Sequence, residues 1–223
     1  MTVWAVLVAA GRGERLGADR PKAFARLGDL PLLAESLRRL DDSPSIDGIV
    51  IVAPSGWEEP AILLAEEIGA SKVTACVPGG ETRSASVRAG LAEVPDDAEI
   101  VLVHDAARPV LPAEVVLRLL DALAEGFDGA VPVLPAADTV KRVQDGVVVE
   151  TLLRDELAVV QTPQAFVAAV LRAAADGEGS DCASLVEARG GRVKAVAGDA
   201  RLLKVTTPAD LERVASWLQA ESK

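Results

Sequence analysis

The chain has 223 residues, enough for one domain with a substantial core. Its 34 acidic and 23 basic residues leave a formal net charge of −11, which speaks against nucleic acid as a partner because phosphate backbones demand lysine and arginine surfaces. No apolar stretch approaches the roughly 18 residues of a membrane span, and the segment Met1-Thr-Val-Trp4 lacks the basic start of a signal peptide, so a soluble cytoplasmic protein with no membrane partner is expected.

Aromatic residues are few, three Phe and three Trp, so Val, Leu, Ile and Ala must build the core. In chain order, Val3–Val8 is the first apolar run and reads as a strand buried on both faces. A loop with two glycines, Gly11 and Gly13, and three cations, Arg12, Arg15 and Lys22, follows it at once. Leu33, Leu37 and Leu40 then recur at helical spacing, ahead of strands over Gly48–Ala53 and 72–77. After a glycine-bearing turn, Val87, Leu91 and Val94 mark a second helix, and 100–104 a further strand. Val116, Leu119 and Leu123 mark a helix before a strand over 129–133. Apolar strands alternating with amphipathic helices predict an α/β, Rossmann-like, mostly parallel sheet with helices on both faces. Ligands of such sheets bind outside the carboxyl ends of the strands, where the loops after Val8, Val77 and Val103 should gather.

The alternation breaks at residues 135–151. Asp145-Gly146 between two alternating β runs signals a hairpin with a type I′ turn. A lone two-stranded hairpin is marginal, so an arm over about 135–156 is expected to protrude from the single domain and pack on a second subunit. Helices are expected to begin near Pro163 and Ser180, with a strand near 192–197. The last helix opens at Thr207-Pro208, a cap followed by proline at the first helical position.

Three constellations carry chemistry. In the first, Gly11 and Gly13 let backbone approach phosphates, while Arg15 and Lys22 can neutralise charge on a leaving pyrophosphate. The dinucleotide fingerprint fails at Leu16 and no P-loop is present, so an ordinary strand-to-helix turn competes with a polyphosphate loop. In the second, Gly79-Gly80-Glu81-Thr82-Arg83 follows a strand, and Ser86 stands one turn into the next helix, where its hydroxyl could meet a base edge; a plain glycine turn explains the pattern equally. In the third, His104-Asp105-Ala-Ala-Arg108-Pro109 offers a carboxylate suited to Mg²⁺ and an arginine suited to phosphate, with His104 more a structural hydrogen-bonding residue than a base. Cys76 and Cys182 fit no metal spacing and are expected reduced; one histidine rules out zinc.

Taken with Asp138-Thr139-Val-Lys141, Thr162-Pro163-Gln164 and Lys204-Val-Thr-Thr-Pro208, these blocks resemble, in order and over nearly the whole chain, the 2-C-methyl-D-erythritol 4-phosphate cytidylyltransferase family. The resemblance implies cytidylyl transfer from CTP to methylerythritol phosphate, with Mg²⁺ as cofactor, by a homodimer joined through the hairpin arm. It implies that Arg15 and Lys22 are catalytic. Ala9, Ala10, Gly11, Gly13, Gly80, Glu81 and Ser86 would bind CTP, with Arg83 supporting the nucleobase loop, and Asp105 would hold the metal. Arg108, Ser180 and Lys204 would bind the polyol phosphate, joined by Thr139 and Arg154 from the partner's arm. The chain departs from the family at Cys182, where an acidic residue is usual, and at Leu202, where asparagine is common. Alternative readings are a ribitol 5-phosphate cytidylyltransferase, which differs only around Arg108, Thr139, Arg154 and Lys204, and a non-catalytic nucleotidyltransferase-like module.

Overall fold

A computed structural model describes residues 1–11, 20–177 and 179–221. Arg12, Gly13, Arg15 and Leu16 of the first loop therefore lie outside the described residues. The chain runs β1 (Val3–Val8), β2 (Arg26–Leu27), β3 (Leu30–Pro31), α1 (Leu32–Asp41), β4 (Gly48–Ala53), α2 (Glu58–Glu67), β5 (Val73–Pro78), α3 (Arg83–Ala92), β6 (Ile100–Asp105), α4 (Ala113–Ala124), β7 (Gly129–Pro135), β8 (Lys141–Gln144), β9 (Val147–Thr151), β10 (Ala158–Val160), β11 (Gln164–Val167), α5 (Ala168–Ala174), α6 (Cys182–Glu187), β12 (Val193–Ala197) and α7 (Pro208–Glu221).

In the main sheet β5, β4, β1 and β6 are neighbours in parallel, and β11 lies antiparallel between β6 and β7. β7 pairs with β12 in parallel on its other side and with β10 antiparallel near its end. Strict alternation along β1 feeds two cores. Ala5 and Leu7 face Leu33, Leu37, Leu64 and Val116 of α1, α2 and α4, whereas Val6 faces Val87, Leu91, Leu171 and Leu185 of α3, α5 and α6. A third cluster docks Val214 of α7 against Leu27, Leu32, Val110 and Val205.

β8 and β9 form a separate two-stranded sheet, and all their residues are exposed. Asp145 and Gly146 take φ of 49° and 79°, the left-handed pair a type I′ turn requires. One expectation fails: no helix begins near Pro163. Residues 164–167 are extended as β11, and the helix starts at Ala168. The gap between β6 and β7 needs a strand, and Phe166 fills it against Gly129, where an added Cβ would come within 2.6 Å of the Phe166 ring. Tertiary pairing overrides the helical tendency of the alanine-rich run that follows.

Candidate functional site

The carboxyl ends of β1, β5 and β6 surround a cavity of about 620 Å³, a size ordinary for a small-molecule site. Its walls are Val8 to Gly11 after β1, Gly80 to Arg83 with Ser86 after β5, and Asp105 to Ala107 after β6, closed by Lys22, Ala23 and Lys204. Among the described site candidates, Ala9, Ala10, Gly11, Lys22, Gly80, Glu81, Ser86, Asp105 and Lys204 thus meet around one space. Arg108, Thr139, Arg154 and Ser180 do not line it.

The β1 and β5 loops touch at Gly79, where a Cβ would lie 2.2 Å from Ala10 Cβ, so only glycine permits the approach. The β5 loop closes on itself. The Gly80 N–H donates to Ser86 Oγ at 3.1 Å, the Ser86 hydroxyl donates to the Thr82 carbonyl at 2.9 Å, and Thr82 Oγ1 caps α3 by accepting from the Ala85 N–H. The Ser86 hydroxyl, expected at a base edge, is here spent on fixing the loop.

Asp105 is the buried charge of the site, 7 % exposed. Arg83 approaches its Oδ1 with Nε at 3.2 Å and Nη2 at 3.1 Å, and Lys204 Nζ donates to Oδ2 at 2.7 Å. Burial pushes this carboxyl upward, but Arg83 and Lys204 outweigh it and hold it at about 2, ionised at any physiological pH. Arg83, expected to support the nucleobase loop, instead carries its guanidinium to Asp105 and to Cys182 Sγ at 3.6 Å.

His104 is fully buried, and burial lowers its pKa to about 4, so the ring is neutral. Nε2 lies 3.0 Å from the Arg108 carbonyl, which can only accept, so Nε2 carries the proton. Nδ1 then accepts from Thr162 Oγ1 at 3.2 Å, and that oxygen accepts from the Asp105 N–H at 3.1 Å. This chain fixes the 104–108 turn and occupies both ring nitrogens, leaving no free lone pair for base chemistry. Thr162 is the functional neighbour that spacing alone did not connect to Asp105.

Arg108 reaches away from the cavity. Its Nη1 donates to the Leu202 carbonyl at 2.5 Å and its Nη2 to the Val160 carbonyl at 3.5 Å, while its Nε is buried with no hydrogen-bond partner among the described residues. Leu202 is fully buried in the core, so the position that commonly holds asparagine contributes backbone here, and Lys204 still reaches the site. Thr139 is exposed, and Arg154 at the base of the arm donates to the Ala137 carbonyl at 3.3 Å. Ser180 is exposed beside α6, whose cap is Asp181, with Gln164 donating to the Asp181 carboxylate at 2.7 Å. Among the described residues no three metal-ligating side chains cluster.

A family model described as IspD, 2-C-methyl-D-erythritol 4-phosphate cytidylyltransferase, matches residues 3–220. The 2-C-methyl-D-erythritol 4-phosphate cytidylyltransferase of Rhodococcus jostii is 45% identical over 214 residues, covering 94% of this chain and 92% of its own. That of Saccharopolyspora erythraea is 46% identical over 218 residues, covering 95% and 96%. The crystal structure of the Thermus thermophilus enzyme of that name superposes with a TM-score of 0.78 at 34% identity, covering 96% of this chain and 98% of that one.

Proposed function

The chain belongs to the 2-C-methyl-D-erythritol 4-phosphate cytidylyltransferase family, and from that premise we infer how its residues carry the activity. The enzyme transfers the cytidylyl group of CTP to 2-C-methyl-D-erythritol 4-phosphate, giving the CDP-alcohol and pyrophosphate in non-mevalonate isoprenoid precursor biosynthesis. The observation that carries the reading is the convergence of exposed backbone, Lys22, Lys204 and the ionised, buried Asp105 on a single cavity at the strand ends.

In this proposal the backbone at Ala9, Ala10, Gly11 and Gly13 cradles the triphosphate and ribose, and Gly80, Glu81 and Ser86 read the cytosine edge. Ser86 does so by trading its internal bond to Thr82 for the base. The acceptor phosphate is already anionic near neutral pH, so no general base is needed and the neutral His104 fits that demand. Alignment of the attacking oxygen with the α-phosphorus and cationic stabilisation by Arg15 and Lys22 supply the rate.

Asp105 suits Mg²⁺ as its one protein carboxylate, because Mg²⁺ takes one or two carboxylates and fills its shell with phosphate oxygens and water. When bound, the ion would supply charge neutralisation on the triphosphate. Arg108, Ser180 and Lys204 receive the acceptor, Arg108 by turning from the Leu202 and Val160 carbonyls; its buried Nε, without a hydrogen-bond partner among the described residues, supports an anion there.

The 223 residues act as one domain, and two copies join through the arm. What supports a homodimer is the exposed apolar surface of an otherwise unsupported hairpin, Val143, Val147, Val148 and Val149, which Leu153 and Val159 continue beyond it. Thr139 and Arg154 then serve the partner's site, since neither lines the cavity of its own chain. No described helix is long and apolar enough to cross a membrane. Unpaired Cys76 and Cys182 support a cytoplasmic location. The deciding experiment is pyrophosphate release from CTP with methylerythritol, ribitol and erythritol phosphates. Release with methylerythritol phosphate alone is expected; release only with ribitol phosphate would move the acceptor assignment, and release with none would remove it.

A further inference from the structure

The two carboxylate oxygens of Asp105 are held by cations of different character. Oδ1 takes both Nε and Nη2 of Arg83, a rigid planar fork, and Oδ2 takes the Lys204 ammonium at the end of a flexible stem. Arg83 is the more enclosed partner, its side chain 27% exposed against 43% for Lys204. Its third nitrogen, Nη1, rests on Cys182 Sγ at the start of α6. Meanwhile the internal bonds of the 79–86 loop run between Gly80, Thr82, Ala85 and Ser86, without the Arg83 guanidinium. The loop is therefore self-supporting, and the guanidinium is directed at the end of β6.

The roles assigned above set a conflict on Oδ2. Asp105 cannot give that oxygen to a divalent cation while Lys204 holds it, and Lys204 cannot reach an acceptor phosphate while it is bound to Asp105. Resting on that assignment, we propose that Arg83 is the positioning residue of Asp105: it commits Oδ1, so that Oδ2 is the one oxygen at which a divalent cation enters, in exchange for Lys204. With a cation bound at Oδ2, the Lys204 ammonium would be free to reach the acceptor phosphate. Because linkage is reciprocal, Lys204 weakens metal binding by the factor by which metal weakens its hold on Asp105.

The test is calorimetric and needs no turnover. The affinity of α,β-methylene CTP is measured with and without Mg²⁺, and the ratio of the two reports the metal's contribution. Lys204→Met should raise this ratio about tenfold by removing the competing charge. Arg83→Lys, which keeps the charge and loses the fork, should lower it about tenfold while metal-free affinity stays within about twofold. Arg83→Gln is measured beside it, with thermal melts of all variants, so that a misfolded variant is not scored. A ratio unmoved or lowered by Lys204→Met overturns the exchange. Loss of metal-free affinity in the Arg83 variants with the ratio intact returns Arg83 to loop support and overturns the proposal. Failure of the unmodified protein to bind the analogue in either condition removes the cytidylyltransferase reading together with this one; binding with unmoved ratios removes this one alone.

Discussion

Lys22 lines the cavity from the far end of the loop that follows β1. On the proposed mechanism its charge matters most when negative charge shifts toward the departing pyrophosphate. Lys22→Ala should therefore lower kcat by about a hundredfold or more while weakening CTP binding far less. Turnover assays paired with calorimetric CTP affinities test this, and equal losses in both would remove the transition-state role. His104 makes a separate prediction about stability. Its folded pKa of about 4 lies below the ordinary 6.5, so unfolding takes up a proton below pH 6.5. The stability it contributes is fully present above 6.5 and is lost as pH falls toward 4, on the order of 3 kcal/mol in total. It is the chain's one histidine, so chemical denaturation between pH 6.5 and 5 should show a fall that His104→Gln abolishes. Asp105 behaves likewise at lower pH: held at about 2, its contribution persists until pH drops below the usual carboxylate range.

At the scale of elements, the loops after β1 and β5 are set by one contact. Gly79→Ala would drive a methyl group into Ala10, forcing the loops apart at a cost of about 1–3 kcal/mol. CTP affinity should fall about tenfold or more, with the double variant Gly79→Ala, Ala10→Gly recovering much of it. Calorimetric titration of CTP into the single and double variants checks this, and an unaffected single variant would separate the β5 loop from nucleotide binding. The strand that replaces the expected helix near Pro163 belongs to the same scale. Gln164-Ala-Phe-Val falls where the start of a helix is expected, and the open slot between β6 and β7 selects a strand instead. That slot also sets Thr162 beside His104 and Asp105, a contact with no sequence spacing to announce it.

The whole-molecule prediction concerns the arm. If Thr139 and Arg154 serve the partner's cavity, Arg154→Ala should impair acceptor binding and leave CTP binding intact. Mixed dimers of Lys22→Ala with Arg154→Ala should recover activity, since one of the two shared sites then carries both native residues; mixed dimers without recovery would end the shared-site reading. Deleting residues 141–151 should give a folded monomer by sedimentation, because among the described residues the main sheet makes no strand pairing with the hairpin. The sequence by itself determined the strand–helix alternation, the Asp145-Gly146 turn and the family blocks, because hydrophobic period, turn chemistry and motif order are local properties of the chain. Only the tertiary structure decided that Arg83 serves Asp105, that Lys204 occupies Oδ2, and that Arg108 turns toward Leu202 and Val160 instead of the cavity. Those are contacts across tens of residues, and which cation a buried carboxylate collects depends on where the sheet and its helices bring them, not on their distance along the chain.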